Sequence, residues 1–378
     1  MKIRLFYHSV ISDWNHGNAH FLRGVATELA ARGHDVKIFE PADAWSMCNL
    51  LEQHGHAPVR AFRRAFPHLR YRRYQPGRFD IERAVAGADL VIVHEWTEAA
   101  VVQRLTELRR KHAFVLFFHD THHRLVTARE SMPAHDFHAF DGVLAYGNVL
   151  RDLYLRQNLV TRAWTWHEAA DTRVFQPRPE EVPEGDVVWV GNWGDDERTE
   201  ELKEFLIDPV QELGLRARIY GVRYPDAARA ALARAGIEYA GWLPNFDVPQ
   251  VFGRFKVTLH VPRRPYVQAL PGIPTIRPFE AMACGLPLLS SPWRDVEGLF
   301  NRGTDFLMAR DGAQMKRLLR RVLTDDGIRR ELARQGLATI RARHTCGHRV
   351  NELLAIVAQV QAERSTLRRP ARIRQAAA

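Results

Sequence analysis

The chain has 378 residues, of which 46% are hydrophobic and 26% are charged, a composition typical of a globular protein with two or three domains. No apolar run approaches the roughly 18 residues that a membrane-spanning helix needs, so we expect a cytoplasmic protein. The three cysteines are far apart and lack the spacing of a disulfide framework or a zinc site. The net charge of +10 favours anionic partners, a class that includes nucleic acids, lipid surfaces and phosphorylated small molecules.

The first half of the chain alternates short apolar strands with amphipathic helices, which is the pattern of a doubly wound α/β domain. Strands are predicted at 3–7, 36–39, 90–93, 114–118, 143–146 and 162–166, and helices at 19–32, 80–86, 97–111 and 148–156. Polar residues follow three of these strands, at 9–18, 94–96 and 119–123. In open parallel sheets ligands bind beyond the carboxyl ends of the strands, so these loops are predicted to line one crevice.

A Pro-rich, charged segment at 176–183 separates this half from a second series of strands and helices. Strands of the second series are predicted at 187–190, 218–220, 237–239, 256–261 and 286–290, and the last helices near 313–323, 328–341 and 348–364. We therefore predict two Rossmann-like domains, at 1–176 and 184–345. A C-terminal helix with a basic tail, at 346–378, is expected to cross back to the first domain.

The stretch 272–291 predicts a tight loop, a short helix with Pro278 in its first turn and Gly285 at its end, and then a buried strand. A loop that leads into a helix leaves backbone N–H groups and the positive end of the helix dipole pointing outward, which suits a phosphate. Glu280, one turn into this helix, is then placed to accept a hydrogen bond from a sugar hydroxyl. On local grounds Glu280 fits equally well as a carboxylate that complements the dipole of its own helix.

A strongly basic stretch begins at Arg60 and ends at Arg78. It contains no acidic residue, and four aromatic residues alternate with its arginines. One interpretation is a surface that contacts an anionic membrane or an acceptor. The other is a solvated loop and helix whose aromatic rings turn inward.

Four stretches resemble glycosyltransferases of the GT-B fold, in the order in which that family has them. They are a glycine loop, helix and GHxV strand entry at 17–36, a strand that delivers a histidine at 114–120, a segment ending in VFxP at 167–177, and the nucleotide-sugar motif at 279–287. The sequence is similar to the retaining family of glycogen and sucrose synthases, the glycosyl transferases group 1, and within it to the CgeB-like subgroup. The resemblance implies two domains facing each other across a cleft, with the acceptor on the first and the nucleotide sugar on the second.

We predict a set of donor-binding residues, whose N–H groups, positive charge and carboxylate would hold a diphosphate and a ribose. They are Gly17, Asn18, Arg198, Thr275, Ile276, Arg277 and Glu280. The usual pair of basic residues of the family is not evident after the loop 191–194, so Arg198 fits equally well as a solvated charge at the start of a helix. One position departs from the family pattern, because Gly272 stands where the family carries a glutamate eight residues before Glu280. The contact to the donor sugar is therefore less defined than the contact to the nucleotide.

Three residues are predicted to be catalytic. His119 matches the family histidine that contacts the donor sugar, and Asp120 and Glu95 are candidates for acid or base groups on the acceptor side. No metal is expected, because aligned N–H donors and arginines suffice to hold the leaving diphosphate. The histidines of 119–123 could be read as a metal cluster, but a partner motif is missing.

The predicted function is therefore that of a hexosyl- or related glycosyltransferase, which uses a UDP- or GDP-linked sugar and needs no cofactor. The transferred sugar is expected to retain its anomeric configuration. The acceptor stays open among glycans, lipids, proteins and small molecules, and no nucleic acid is expected. Two alternatives remain: a sugar-nucleotide epimerase of the same fold, and a nonenzymatic protein that binds nucleotide sugars or polyanions. A dinucleotide oxidoreductase or an NTPase is disfavoured, because the sequence lacks GxGxxG after any predicted strand and lacks a P-loop. The expected location is the cytoplasm, with or without peripheral contact to the inner membrane face.

Overall fold

The computed structural model describes residues 1–131 and 136–375, and a first sheet is built from the N-terminal half of the chain. Its strands are β1 (Lys2–Phe6), β2 (Asp35–Pro41), β3 (Tyr71–Tyr74), β4 (Leu90–His94), β5 (Val115–Asp120), β6 (Gly142–Ala145) and β7 (Ala163–Thr165). The helices of this half are α1 (Ala19–Ala31), α2 (Trp45–His54), α3 (Ala57–Ala65), α4 (Ile81–Val85), α5 (Ala99–Lys111), α6 (Arg124–Thr127) and α7 (Asn148–Arg156). All strand pairs are parallel, and the order across the described sheet is β3-β2-β1-β4-β5-β6-β7.

Alternate residues of the central strands pack on opposite faces of this sheet. In β4, Leu90 and Ile92 belong to a core cluster that includes apolar residues of α1. Val91 and Val93 belong to a separate cluster that includes those of α5. A strand covered on both faces must be apolar throughout, which explains the uninterrupted run LVIV.

The second sheet takes its strands from residues 185–308. They are β8 (Gly185–Val190), β9 (Ala217–Tyr220), β10 (Glu238–Tyr239), β11 (Phe255–His260), β12 (Leu288–Ser290) and β13 (Leu307–Met308), in the order β10-β9-β8-β11-β12-β13. Helices of this half are α8 (Thr199–Leu202), a π-helical turn (Lys203–Ile207), α9 (Asp208–Leu213), α10 (Asp226–Arg234), α11 (Val248–Gly253), α12 (Arg264–Gln268), α13 (Ile276–Ala283), α14 (Gly312–Thr324), α15 (Asp326–Arg343) and α16 (Cys346–Gln375). Two doubly wound α/β units are thus present, as the sequence predicted.

Side chains from both halves of the chain meet directly. Asp13, from the loop after β1, accepts hydrogen bonds from the indole N–H of Trp242 at 3.1 Å and from the backbone N–H of Asn245 at 2.9 Å. The last helix, α16, lies against α1, where Arg32 donates to the side-chain oxygen of Asn351 at 2.6 Å. These contacts set the position of one sheet relative to the other. The domain bounds at 1–176, 184–345 and 346–378 stay a prediction.

The prediction from sequence gave no bounds for three elements between residues 45 and 74, namely α2, α3 and β3, although one interpretation of the basic stretch included a helix. Arginines dominate this stretch and hide a narrow apolar face, because only Val59 and Phe62 of α3 are buried. Phe66 and Tyr74 are buried as well, so the inward orientation of these aromatic rings is confirmed. The arginines of the stretch are exposed instead.

Of the helices in the described part of the chain, none combines the length and apolarity needed to span a bilayer.

Candidate functional site

A cavity of about 640 Å³ lies between the two halves of the chain. This volume is typical of a site for a small molecule or a cofactor. The wall from the first half consists of His8, 15–18, Trp45, Trp96, 121–124 and Ala128. The facing wall consists of 189–192, Asp195, Glu197, Arg198, Arg223, 259–263, Tyr266 and 275–277. Both walls contain residues that directly follow strands, as expected for parallel sheets.

Backbone strain is concentrated at this cavity. Six described residues other than glycine have a positive φ, and four of them line the cavity: Asn15 (52°), Asp195 (48°), Arg223 (61°) and Thr275 (61°). Thr275 also has a ψ of −177°, a conformation almost restricted to glycine. Surrounding contacts must hold such a residue in place, and residues of this kind cluster at ligand sites.

The N-terminus of α13 opens into the cavity immediately after Thr275. The backbone N–H groups of Thr275, Ile276 and Arg277 have no hydrogen-bond partner within the described residues. Gly17 and Asn18 lie across from them at the start of α1, and a Cβ atom at Gly17 would be 3.5 Å from the side chain of Ile276. Two helix N-termini thus meet at one end of the cavity, an arrangement suited to an anion.

Arg198 supplies a cation to the same cavity. Its guanidinium donates to the carbonyl oxygens of Val261 at 2.9 Å and Trp193 at 3.3 Å, and it lies 4.9 Å from the ring of Trp189. Burial lowers the pKa of Arg198 to about 9, with a further contribution from Arg263, so the group remains charged at neutral pH. No carboxylate of the described chain forms an ion pair with Arg198. Its charge is therefore available to a ligand.

Two further arginines that line the cavity, Arg263 and Arg277, already form ion pairs with carboxylates of the protein. Arg263 forms an ion pair of 3.0 Å with Glu197, and Arg277 forms one with Glu280. Arg263 was not predicted from the sequence. Its only signal was its position in the loop that follows β11.

Glu280 is fully buried and lies behind the cavity wall rather than on it. Its carboxylate accepts hydrogen bonds from His20 at 2.9 Å, from the side chain of Asn245 at 2.9 Å, and from Arg277. The backbone N–H of Asp171 donates to Nε2 of His20 at 2.8 Å, so the ring proton resides on Nδ1 and His20 is the donor to Glu280. Burial opposes ionisation, but Arg277 and the two hydrogen bonds outweigh it and lower the pKa of Glu280.

The geometry of Glu280 bears on its predicted role. Its carboxylate joins α13 to α1 across the two halves of the chain. Neither local interpretation of Glu280, as a ligand of a sugar hydroxyl or as a carboxylate that complements its own helix dipole, predicted this hydrogen bond. His20 lies 260 residues away in the sequence. The contact to a ribose stays a prediction.

Gly272 has a φ of +94°, and a Cβ atom there would lie 2.8 Å from Cγ of Glu297. Glu297 thus occupies the space beside position 272. Its carboxylate accepts a hydrogen bond from the backbone N–H of Asn148 at 2.7 Å and pairs with His167 at 2.7 Å. The glycine that departs from the family pattern is therefore required by the local packing.

The two predicted catalytic carboxyl groups lie one layer behind the cavity. Glu95 accepts hydrogen bonds from the backbone and the hydroxyl of Thr121, both at 3.0 Å, and pairs with Arg124 at 3.2 Å. Asp120 accepts a hydrogen bond from the hydroxyl of Tyr154 at 2.8 Å. Burial raises the pKa of both carboxyl groups, and the charge of Asp120 raises that of Glu95 further. Thr121 and Arg124 themselves line the cavity.

His119 is also buried behind the wall. Its ring packs 4.8 Å from Trp166, and neither ring nitrogen has a hydrogen-bond partner within the described residues. Burial lowers the pKa of His119 to about 3, so the ring is neutral. In the described part of the chain no group of three or more His, Cys, Asp or Glu side chains is placed to hold a metal. The catalytic roles of His119, Asp120 and Glu95 stay predictions.

Comparisons with known proteins point to one fold. The family described as Glycosyl transferase-like matches residues 198–355, which is less than half of the chain. No curated protein matches the sequence. Among solved structures, the chain is similar to sucrose-phosphate synthase from Thermosynechococcus elongatus, with 15% identity, a TM-score of 0.68, and coverage of 96% of this chain and 100% of the other.

Two further solved structures contain a nucleotide. HepE from Anabaena, in complex with UDP and glucose, has 13% identity and a TM-score of 0.63, with coverage of 95% of this chain and 100% of the other. An α-glucosyltransferase in complex with UDP and a 13-mer DNA has 11% identity and a TM-score of 0.68, with coverage of 95% of this chain and 99% of the other. At these identities the similarity establishes the fold, and the chain has the two-domain GT-B fold.

Proposed function

We propose that this protein transfers a sugar from a UDP- or GDP-linked donor to an acceptor, with retention of configuration and without a metal cofactor. The observation that carries the proposal is that the unpaired N–H groups of 275–277 and the charge of Arg198 line the same cavity. Such a combination of donors and positive charge suits a diphosphate. The overlap of residues 198–355 with the Glycosyl transferase-like family supports the same reading and is compatible with a CgeB-like subgroup.

The chemistry depends on stabilising the leaving group. When the bond between the sugar and the diphosphate breaks, negative charge develops on the diphosphate and positive charge on the sugar. Preorganised N–H donors and a buried guanidinium stabilise the diphosphate without reorganising at the moment of reaction. Arg198 is held by protein carbonyl oxygens, so its orientation is set before the donor binds. The structures of HepE with UDP and glucose and of the α-glucosyltransferase with UDP support a UDP-linked donor.

We also propose that Glu95 and Asp120 act by positioning other groups. Glu95 orients Thr121 and Arg124, which line the cavity, and Asp120 anchors the same loop through the backbone N–H of His122 at 3.0 Å. His119 lies beneath this loop and supports it through packing. The acceptor would enter along this wall, opposite α13.

The donor site is tested with a panel of nucleotide sugars and thermal unfolding. A bound ligand present at 100 times its Kd stabilises the folded protein by about 2.7 kcal/mol, and no acceptor is needed for the measurement. We expect UDP or GDP and one of their sugar conjugates to raise the Tm of the wild type. The Arg198→Ala variant should show a smaller increase, whereas Arg330→Ala, an exposed change on α15, should behave as the wild type. If no nucleotide sugar raises the Tm, the proposal is wrong.

The two alternatives are separated by incubating the protein with its donor alone. An epimerase would change the donor sugar without an acceptor, and the product would be an isomer of the donor. A nonenzymatic binding protein would leave the donor intact under every condition. A transferase releases the free nucleoside diphosphate, at a rate that increases when the acceptor is present.

We propose in addition that the basic surface formed by the exposed arginines of 60–78 contacts the anionic inner face of a membrane. Seven arginines in this stretch are exposed, and no acidic residue interrupts them. Lys and Arg side chains near an anionic surface contribute about 1 kcal/mol each. Flotation with vesicles that contain phosphatidylserine should recover more protein than flotation with phosphatidylcholine alone, and replacing Arg60 and Arg63 by Ser should reduce the difference. Equal recovery with both vesicles, or binding to duplex DNA alone, would contradict this contact.

A further inference from the structure

Two exposed tryptophans lie at the cavity, on the wall opposite α13. Trp45 is 48% exposed and Trp96 is 41% exposed, and both line the cavity. They are the only tryptophans among the large apolar side chains that are exposed in the described part of the chain. Keeping an indole ring in water forgoes the free energy of burying it, and exposed aromatic surface beside a cavity marks a binding site.

Other side chains hold both rings in place. The guanidinium of Arg124 lies 3.7 Å from the ring centroid of Trp96, and Glu95 pairs with that guanidinium at 3.2 Å. Trp45 packs edge to face against Trp14 at 5.0 Å. A ligand that stacks on either ring would therefore restrict little side-chain motion, which lowers the entropic cost of binding.

The cavity wall beside the two tryptophans is polar. His8 lies 6.5 Å from the ring of Trp96. Burial lowers the pKa of His8 to about 4, so the neutral ring offers one hydrogen-bond donor and one acceptor. Asn15 and His16 also line this wall. The wall thus alternates flat apolar surface with hydrogen-bonding groups.

A sugar ring has the complementary surface. Its C–H groups form an apolar face that packs on the electron-rich face of an aromatic ring, while its hydroxyl groups point outward to polar partners. A fatty acyl chain would need a continuous apolar lining, which the polar residues interrupt. We propose that Trp45 and Trp96 form the acceptor subsite and that the acceptor is a saccharide, or a conjugate whose reacting end is a saccharide. The inference rests on the proposed function, because the donor occupies the opposite wall.

The test uses isothermal titration of maltose, cellobiose, chitobiose and mannobiose into the protein saturated with UDP, or with GDP if GDP is the nucleotide that raises the Tm. We expect at least one of these disaccharides to bind the wild type, and Trp45→Ala and Trp96→Ala to weaken that binding by about tenfold or more. Trp45→Phe and Trp96→Phe should retain more of the affinity than the alanine variants, because phenylalanine keeps a stacking surface. The control is Val182→Ala, a change at an exposed apolar residue that does not line the cavity.

The nucleotide measurement separates two kinds of failure. Every variant should bind UDP with the wild-type Kd, which also shows that it is folded. Absence of both UDP and GDP binding by the wild type would contradict the proposed function itself. Normal UDP binding without binding of any disaccharide, or with equal disaccharide binding by the tryptophan variants, would overturn the acceptor subsite. Binding of octanol in place of the disaccharides would overturn it as well.

Discussion

Replacing Glu280 tests whether its buried carboxylate connects the two halves of the chain. In Glu280→Ala, three donors lose their acceptor: His20 and Asn245, each at 2.9 Å, and Arg277. Removing one partner of a buried ion pair costs about 3–5 kcal/mol, because the remaining charge stays buried without a partner. Glu280→Gln keeps the shape and one acceptor oxygen, so we expect it to cost about 1–3 kcal/mol.

The assay is urea unfolding, combined with UDP titration of the folded variants. Glu331→Gln is the matched control, because Glu331 is an exposed glutamate on α15 whose ion pair with Arg334, at 2.6 Å, is also exposed. Its replacement should change stability far less than Glu280→Ala does, because an exposed ion pair contributes little. Asn245→Ala removes one donor and keeps the carboxylate, so its effect should be smaller than that of Glu280→Ala. The contrary result would be a change in stability of less than about 1 kcal/mol together with a fall in UDP affinity of about tenfold or more. Glu280 would then be a direct ligand of the nucleotide, and its role in connecting the two halves of the chain would be refuted.

The same residue predicts a dependence on pH. Although burial opposes ionisation, Arg277 and the hydrogen bonds lower the pKa of Glu280 below its ordinary value of 4.5. Its stabilising contribution is therefore fully present above pH 4.5 and is lost as the pH falls through the lowered value. The difference in stability between the wild type and Glu280→Gln should narrow below pH 4.5, and a difference that stayed constant would contradict the prediction.

Three further predictions concern single residues. Arg198→Ala should weaken UDP binding by about 1.5–3 kcal/mol, measured by calorimetry, and an unchanged Kd would contradict its contact with the diphosphate. Gly272→Glu should lower the free energy of unfolding by about 2 kcal/mol or more without raising activity, because the positive φ and the contact with Glu297 both oppose a side chain. A variant as stable as the wild type in urea unfolding would contradict this prediction. Burial raises the pKa of Glu168 to about 8, so its contribution to stability is lost as the pH rises from 4.5 through about 8. Glu168→Gln should remove this loss in urea unfolding, whereas pH profiles that run parallel to the wild type would refute it.

The sequence by itself determined the class of fold and the local form of several functional segments. Strands such as LVIV are apolar throughout because both faces of a parallel sheet are covered, and this property can be read without a structure. The loop before α13 was predicted as well, because Pro278 and Gly285 have strong local preferences at helix ends. Where arginines mask the apolar face, as in α3, the same approach left two interpretations open and gave no bounds for the helix.

Only the tertiary structure decided which side chains reach the cavity. Periodicity tells which face of a helix is buried, but it does not tell what lies opposite that face. The partners of Glu280 come from distant parts of the chain, and Trp45 joins the cavity through a helix that the sequence did not predict. The space beside Gly272 is taken by Glu297 from another loop. These relations depend on how the two sheets pack against each other, which is set by contacts between residues far apart in the sequence.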